Sequence, residues 1–338
     1  MMHDYILQIE QGESLSHDEI TVVMELIMSG QAPLQDIKDF LVALNKKGPT
    51  VEEITACALI MRKFVVPVTT HHEIILDVVG TGGDHKNTFN ISTVTAIVVA
   101  ACGVAVAKHG NRRVSSRCGS ADVLEALGIN LQMEEKYLSE CLDKIGLAFL
   151  FAQRLHPAMK NVAFARQELG VKTIFNILGP LTNPARATHQ IMGVYSRDLL
   201  EPMAQVLRNL GLKRALVVHG NDGLDEITIT DKTFVSEFNG QEIISYDIDS
   251  DEFGIPRARI DDLVGGDAAD NAAIVRSILE GECGPKRNIV IINAAYALYT
   301  TGAVENLMQG MRMAEHAIDS RRAFQKLEEL KEFSNRVR

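Results

Sequence analysis

The stretch Ile74-Ile75-Leu76-Asp77-Val78-Val79-Gly80-Thr81-Gly82-Gly83-Asp84 places a glycine-rich loop directly after a run of mostly apolar residues. Such a run is typical of a strand that is buried on both faces, as in a parallel sheet covered by helices. Three glycines in four positions let backbone N–H groups approach an anion, because no Cβ stands in the way. Taken alone, the pattern fits a tight glycine turn or a hairpin better than an anion site.

The segment that follows the loop, Asn90-Ile91-Ser92-Thr93, predicts the start of a helix over residues 91–102. Asn90 suits the N-cap position, and Ser92 and Thr93 bring hydroxyls to the positive end of the helix dipole, beside free backbone N–H groups. Strand, glycine loop and hydroxyl-rich helix start, in this order, predict a site for a pyrophosphate group from Gly80 to Thr93.

Downstream of this unit the sequence alternates between predicted strands and helices. Strands are expected at 104–107 and near Ala148, Gln190 and Ala215, a helix at 120–127, and an antiparallel stretch between 226 and 249. Two more helices are expected at 288–300 and 304–333. The fold class predicted for residues 71–338 is α/β, with a central mixed, largely parallel sheet and flanking helices.

The first seventy residues predict helices only. Ser16 with Glu19 and Thr50 with Glu53 are capping boxes, and Pro33 is placed in the first turn of another helix. We therefore expect a small N-terminal helical domain over residues 1–70, completed by a later segment near 165–190. This bundle either covers a core or forms a dimer contact, and the sequence does not choose between the two.

Composition limits the possible partners and location. The 338 residues include 34 basic and 44 acidic ones, a net charge of −10 that disfavours nucleic acid or an anionic membrane as the main partner. Five cysteines show no C-x-x-C spacing, which favours a reducing compartment. The longest apolar run, 96–107, is shorter than the roughly 20 residues of a membrane span. We expect a soluble, cytoplasmic protein.

A second candidate anion site is Lys108-His109-Gly110-Asn111-Arg112-Arg113-Val114-Ser115-Ser116, which follows a short apolar strand. Ligands of α/β proteins bind at such strand ends. Lys108 and the arginines supply positive charge, whereas the serines and Gly110 supply donors that allow close approach. A solvated basic turn is the alternative. Ser120 then begins another helix, whose N-terminus is able to face the same ligand.

Two further candidates are the adjacent acids Asp225-Glu226 and the arginine Arg166. Paired carboxylates at a strand end are hard oxygen ligands suited to Mg²⁺, although spacing alone fits exposed acids better. The guanidinium of Arg166 matches a carboxylate bidentately, or else is merely solvated. His109 and His156 are interpreted as packed, hydrogen-bonded histidines rather than general bases.

Across nearly its whole length the sequence resembles the anthranilate phosphoribosyltransferases. The resemblance rests on D-V-V-G-T-G-G-D at 77–84, N-I-S-T at 90–93, K-H-G-N-R at 108–112, V-S-S at 114–116 and G-S-A-D-V-L-E-A-L-G at 119–128. R-Q-E-L-G, F-N-I-L-G-P-L-T-N-P and G-L-D-E follow in the same order. The family fold is a helical domain with an α/β domain, in a homodimer built mainly through helices.

The resemblance also implies roles for individual residues. Lys108, Asn111 and Arg166 are implied as catalytic, Gly80, Asn111 and Arg166 as anthranilate contacts, and Ser92, Asp225 and Glu226 as Mg²⁺ positions. The implied contacts of phosphoribosyl pyrophosphate are Gly80, Gly83, Asp84, Thr88, Asn90, Ile91, Ser92, Thr93, Lys108, His109, Gly110, Asn111, Arg112, Arg113, Val114, Ser115, Ser116 and Ser120.

The implied reaction is transfer of the phosphoribosyl group to the amine of anthranilate, with release of pyrophosphate. Two alternatives are kept open. One is a pyrimidine nucleoside phosphorylase, a relative by fold that would read a base and use free phosphate. The other is a catalytically silent relative that binds nucleic acid or acts as a scaffold, against which the acidic charge balance argues.

Overall fold

The structure, a computed structural model, describes residues 2–84, 86–112 and 118–336. Within these ranges the strands form one seven-stranded sheet in the order β3-β2-β1-β4-β5-β6-β7. Strands β1 to β5 pair in parallel, and β6 and β7 add an antiparallel end. The strands are β1 Ile75–Gly80, β2 Ala105–Gly110, β3 Leu147–Phe151, β4 His189–Gly193, β5 Arg214–Gly220, β6 Thr233–Phe238 and β7 Ile243–Ile248.

Helices lie before the sheet in sequence, between its strands and after it. They are α1 Met2–Glu10, α2 His17–Met28, α3 Leu34–Lys47, α4 Val51–Lys63, α5 Ile91–Ala101, α6 Ser120–Ala126, α7 Glu135–Ile145, α8 Ala152–Leu155, α9 Lys160–Leu169, α10 Phe175–Leu178, α11 Leu200–Asn209, α12 Ala268–Leu279, α13 Pro285–Thr300, α14 Leu307–Asp319 and α15 Arg322–Arg336. In the part of the chain described, none of them is long and apolar enough to cross a membrane.

The α/β class and the mixed, largely parallel sheet are confirmed, and so is the strand, glycine loop and helix unit around residue 80. The single helix predicted at 304–333 is wrong. It is divided into α14 and α15 because Arg321, between them, has a left-handed backbone conformation with φ of 63°. Helices α7, α11 and α12 were not predicted. The sequence of the α14–α15 turn contains neither glycine nor proline, so it carries no breaker signal.

Local signals explain the starts of the N-terminal helices. Both predicted capping boxes are present: the hydroxyls of Ser16 and Thr50 accept N–H groups three residues ahead, and Glu19 and Glu53 bond back. Pro33 occupies the N-cap of α3 rather than its first turn. Glu53 is fully buried, where it also accepts the Leu15 N–H at 3.0 Å, so this carboxylate fastens the α1–α2 connection to α4.

Two apolar cores lie on opposite faces of the sheet, because side chains of a strand alternate between its faces. Leu216 and Val218 of β5 pack into the core formed with α5 and α12–α15, whereas Ala215 and Val217 face the helices α1–α4, α9–α11. The N-terminal bundle therefore shares its core with the sheet and with residues 158–181. The domain boundary at residue 70 and the completing segment at 165–190 stay predictions.

Candidate active site

The five parallel strands end at one edge of the sheet. In the pairing register Gly80 lies beside Gly193, Gly193 beside Val218, and Gly110 beside Phe151. The connections that leave this edge include residues 81–90, 111–119 and 221–232. Topology thus brings the glycine loop, the basic segment and the acidic pair to one place, as binding sites of α/β proteins require.

The Asp225-Glu226 pair lies directly against the ends of β1 and β4. A Cβ on Gly80 would collide with the Asp225 carboxylate, and one on Gly193 would collide with its backbone carbonyl. Glycine at both strand ends is therefore what admits this loop. The Gly82 N–H donates to Asp225 Oδ2 at 2.9 Å, and the Ser92 N–H donates to Glu226 Oε1 at 3.1 Å.

The acidic pair holds more negative charge than its surroundings balance. Loss of solvation raises the pKa of Asp225 to about 6, helped by the nearby Asp84 charge. The same loss of solvation, together with the Asp225 charge, raises the pKa of Glu226 to about 8. Carboxylates gathered in this way are stabilised in their ionised form by a cation.

Lys108, near the end of β2, is buried under this pair with only 3% of its surface exposed. Its ammonium donates to the Val78 carbonyl at 2.6 Å and to Ser92 Oγ at 3.1 Å. Burial lowers the pKa of Lys108, and the charges of Asp77, Asp225 and Glu226 oppose that shift. The lysine therefore acts as an internal counter-charge that also holds the Ser92 hydroxyl.

The start of α5 differs from the prediction in one respect. Asn90 occupies the N-cap, but its side chain does not cap the helix; instead Nδ2 donates to the Cys118 carbonyl at 3.2 Å. Asn90 Oδ1 and Thr93 Oγ1 are buried without a hydrogen-bond partner among the described residues. Buried polar atoms of this kind are costly unless a ligand or water satisfies them.

The glycine loop is supported from two sides. Thr88 forms an antiparallel bridge to Val264, flanked by hydrogen bonds from Phe89 N–H to the Leu263 carbonyl and from Gly265 N–H to the Asn87 carbonyl. On its other side the Lys172 side chain lies against Gly83, with Nζ 3.6 Å from the centre of the Tyr195 ring. Gly83 and Asp84 are half-buried, whereas Ile91 is buried. Sequence reasoning did not single out Lys172.

The basic segment is described only in part, because Arg113, Val114, Ser115 and Ser116 lie outside the described residues. Ser120 Oγ donates to the Asn111 carbonyl at 3.2 Å, so the start of α6 contacts the residue that follows β2. The Arg112 guanidinium is engaged by two carboxylates, those of Asp122 and Glu125. Its charge is therefore already neutralised within the chain.

His109 and His156 form a buried pair, with their Nε2 atoms 3.1 Å apart. Burial lowers the pKa of both rings, that of His156 to about 4, so both are neutral. Because both rings are neutral, one Nε2 carries the proton of this hydrogen bond and the other accepts it. The pair ties the end of β2 to the segment that leads into α9.

Arg166 lies in the last turn of α9, half-buried, with its guanidinium 5.7 Å from the centre of the Phe175 ring. Burial lowers the pKa of this arginine, and no carboxylate within the described ranges pairs with it. An unpaired, partly desolvated guanidinium is a receptor for a carboxylate. The exposed Asn111 lies two residues after His109. The contact between His109 and His156 places the end of β2 next to the residues that lead into α9.

The structure gives one test of the proposed metal. Ser92, Asp225 and Glu226 offer only oxygen donors, and the two carboxylates carry more negative charge than Lys108 balances, which fits Mg²⁺ and not a softer metal. The part of the chain described contains no cluster of three or more His, Cys, Asp or Glu arranged for a metal. These residues therefore suit a cation that takes its remaining ligands from substrate phosphates and water.

Sequence reasoning assigned no role to Asp77, which lies fully buried in β1. Its carboxylate accepts the His109 N–H at 3.0 Å and the Asn183 amide at 2.8 Å, and burial raises its pKa to about 6. Asn183 belongs to the stretch F-N-I-L-G-P-L-T-N-P, and it also donates to the Ala107 carbonyl at 2.8 Å. An acid within an otherwise apolar strand was the available signal.

Comparison with known proteins agrees with this geometry. Residues 72–324 match the model of the glycosyl transferase family α/β domain, and residues 3–65 that of its helical bundle domain. An anthranilate phosphoribosyltransferase of Acetivibrio thermocellus is 50% identical over 335 residues, 99% of this chain and 97% of the relative.

Two solved structures extend the likeness to the fold. The anthranilate phosphoribosyltransferase of Thermus thermophilus superposes with a TM-score of 0.93 at 42% identity, covering 98% of this chain and 99% of the other. The enzyme of Saccharomyces cerevisiae in complex with PRPP and Mg gives 0.87 at 27% identity, covering 95% and 93%. The chain belongs to the anthranilate phosphoribosyltransferase family.

Proposed function

We propose that this enzyme transfers the phosphoribosyl group of phosphoribosyl pyrophosphate to the amine of anthranilate, giving N-(5-phosphoribosyl)anthranilate and pyrophosphate, in tryptophan biosynthesis. One observation carries the proposal. The half-buried acidic pair Asp225-Glu226 faces the glycine loop and the start of α5, which is an arrangement for holding a metal-bound pyrophosphate. The yeast relative bound to PRPP and Mg supports it.

In this proposal Ser92, Asp225 and Glu226 hold Mg²⁺, which when bound stabilises the negative charge of the departing pyrophosphate. The chain's own part is to present the carboxylates and to oppose the rise in their pKa values that the loss of solvation causes. Lys108 does so with its buried ammonium, which fixes the Ser92 hydroxyl at 3.1 Å. Lys108 thus acts on the leaving group indirectly, through the Ser92 hydroxyl and the charges of Asp225 and Glu226.

The donor substrate lies along the glycine loop and the two helix starts. The unpartnered Asn90 Oδ1 and Thr93 Oγ1 mark this surface as one that a ligand completes. We assign donor binding to Gly80, Gly83, Asp84, Thr88, Asn90, Ile91, Ser92, Thr93, Lys108, His109, Gly110, Asn111, Arg112, Arg113, Val114, Ser115, Ser116 and Ser120. Asp122 and Glu125 occupy the Arg112 guanidinium, and the Arg112 N–H donates to Asn111 Oδ1 at 2.8 Å, so Arg112 would bind the donor by exchanging one of these partners.

The acceptor lies on the side of α9. Arg166 pairs with the anthranilate carboxylate, and Asn111 and Gly80 complete the acceptor contacts. The amine nitrogen carries a free lone pair, so it attacks C1 of the ribose without prior deprotonation. The C1–N bond forms, the C1–O bond to pyrophosphate breaks, and the nitrogen then releases one proton. Catalysis rests on positioning and on stabilising the leaving charge, which needs no nucleophilic side chain.

We further propose a cytoplasmic homodimer. Exposed apolar side chains on the N-terminal helices, Leu7, Leu34 and Val42, support a contact through this bundle. The acidic net charge of −10 supports an enzyme of small anions rather than a partner of nucleic acid.

Consumption of phosphoribosyl pyrophosphate, measured with and without anthranilate, tests the function. We expect consumption only when anthranilate and Mg²⁺ are both present. Cleavage of pyrimidine nucleosides by free phosphate would instead indicate a nucleoside phosphorylase. A salt-sensitive shift of DNA in a gel, without turnover of either substrate set, would indicate the silent nucleic-acid-binding relative.

A further inference from the structure

A fully buried asparagine lies behind the acidic pair. Asn293 is in the middle of α13, after Ile289-Val290-Ile291-Ile292, and has no exposed surface. Placing a side-chain amide in an apolar core is unfavourable unless every hydrogen-bonding group is satisfied. The position therefore has a purpose other than packing, for which an aliphatic residue would serve better.

The Asn293 amide is fully used, and two of its three hydrogen bonds go to one residue. Oδ1 accepts the Ile227 N–H at 3.1 Å, and Nδ2 donates to the Ile227 carbonyl at 2.8 Å and to the Ile289 carbonyl at 2.8 Å. Ile227 follows Glu226 directly. The amide thus fixes the peptide planes on both sides of Ile227, and the first of these carries the Glu226 carbonyl.

This contact replaces a strand partner that the loop lacks. Residues 221–232 connect β5 to β6 without joining the sheet. The loop is also held internally, because Asp222 Oδ2 accepts the Thr228 hydroxyl at 2.7 Å and the Thr230 hydroxyl. Asn293 is the side chain that attaches the stretch after Glu226 to a helix of the core.

We propose that Asn293 is a positioning residue for Mg²⁺ and pyrophosphate binding, acting by holding Ile227 so that Asp225 and Glu226 point into the cradle formed by Gly82 and Ser92. The inference rests on the proposed function and extends it to α13. Partners behind metal ligands set the ligands' orientation, and their loss typically weakens metal affinity or activity about 10- to 100-fold.

The test compares Asn293→Ala with Asn130→Ala. The Asn130 amide also holds backbone, donating to the Ser334 carbonyl at 3.1 Å and accepting the Gln132 N–H at 2.9 Å, but it contacts α15 and not the site. Both variants lose hydrogen bonds from a side-chain amide to the backbone, which are buried for Asn293 and partly exposed for Asn130, so both lose some stability. Asn293→Ser, which leaves a smaller void, serves if the alanine variant does not fold.

Two readouts are compared. One is hydrogen exchange of residues 221–232 in the protein without ligands, and the other is the Mg²⁺ concentration for half-maximal turnover. For the Asn293 variants we expect faster exchange in this loop, a Mg²⁺ requirement raised about tenfold or more, and little change in KM for anthranilate. For Asn130→Ala we expect none of these changes.

Each contrary result has a distinct meaning. A folded Asn293 variant with wild-type loop exchange, or with an unchanged Mg²⁺ requirement, would overturn the positioning role. Equal effects in Asn130→Ala would overturn it as well, because they would show a general loss of stability. A wild-type enzyme that needs no Mg²⁺ would instead contradict the proposed function.

Discussion

Lys108 and Arg166 are two cations of the same site, and the chain treats them in opposite ways. Lys108 is buried, donates two hydrogen bonds within the chain and has three carboxylates nearby. Arg166 is half-buried over an aromatic ring, and no carboxylate of the described residues balances it. The Lys108 charge is balanced within the folded chain, whereas the Arg166 charge is open to a carboxylate of the substrate.

In the proposed reaction this difference separates the leaving group from the attacking group. The proposed metal and pyrophosphate side is held together within the chain, because Glu226 accepts the Ser92 N–H and Lys108 donates to the Ser92 hydroxyl. Such preorganisation is what electrostatic stabilisation of a leaving charge requires. The acceptor side gains its counter-charge only from the substrate carboxylate. Substitutions on the leaving-group side should therefore change Mg²⁺-dependent turnover and stability, whereas substitutions on the acceptor side should change KM for anthranilate.

The largest effect is expected from the acidic pair. Asp225→Asn combined with Glu226→Gln removes both carboxylates that hold the metal, so Mg²⁺-dependent turnover should fall by roughly 10³-fold or more. Folding should be retained, since the charges repel each other in the metal-free protein. Initial rates across a Mg²⁺ series measure the change. Glu134→Gln with Glu135→Gln, an adjacent exposed pair, is the control; unchanged activity of the site variant at limiting Mg²⁺ would refute the metal assignment.

The next effect is on stability. Lys108→Met keeps most of the length of the side chain but leaves Asp77, Asp225 and Glu226 without their internal counter-charge, so the free energy of unfolding should fall by about 3–5 kcal/mol. Lys326→Met is the matched control, because the Lys326 ammonium also donates two hydrogen bonds, one of them to a backbone carbonyl, but lies nearer the surface. It should cost at most about 1 kcal/mol in urea unfolding. Equal losses of unfolding free energy in the two variants would contradict the role of Lys108 as an internal counter-charge.

Arg166→Ala should leave folding nearly unchanged and act on the acceptor alone. Loss of one charge-assisted pair with the anthranilate carboxylate should raise KM for anthranilate about 10- to 100-fold, with KM for the donor little affected. Arg321→Ala removes a comparable guanidinium, 5.9 Å from the Phe324 ring, and should change neither constant. A larger change in KM for the donor than for anthranilate would show that Arg166 binds the donor and not the acceptor.

The smallest effect concerns pH. Mg²⁺ binds the ionised acids, and the pKa values of Asp225 and Glu226 are raised to about 6 and about 8, so the Mg²⁺ requirement should fall about tenfold from pH 6.5 to 8.5. In the metal-free protein the free energy of unfolding should decrease as pH rises through this interval, because the folded state binds the Glu226 proton more tightly than the unfolded state.

Titration of the melting temperature, with and without Mg²⁺, measures the pH effect. Glu226→Gln should remove most of the pH dependence between pH 6.5 and 8.5. A Mg²⁺ requirement that rises with pH would show that Mg²⁺ binds better when the acids are protonated, and would contradict binding by the ionised carboxylates.

The fold and part of the site were accessible from sequence because their signals are local. A glycine loop after a buried run, and capping boxes such as Thr50 with Glu53, act within a few residues. The role of Gly193 was not accessible, since it depends on Asp225, which approaches from another loop. The engagement of Arg112 by Glu125 and the packing of Asn293 against Ile227 likewise depend on tertiary contacts. Residue types were predictable, whereas the direction of their side chains was not.

The fluorescence of anthranilate tests the central claim most directly. Wild-type enzyme, Mg²⁺ and phosphoribosyl pyrophosphate together should abolish the fluorescence of anthranilate. Arg166→Ala should lower the rate of this loss at limiting anthranilate, and a high anthranilate concentration should return the rate toward that of the wild type. The signal should persist when any one of the three components is left out. A signal that stays constant with all three present, from correctly folded enzyme, would contradict both the reaction and the division of the site into a leaving-group side and an acceptor side.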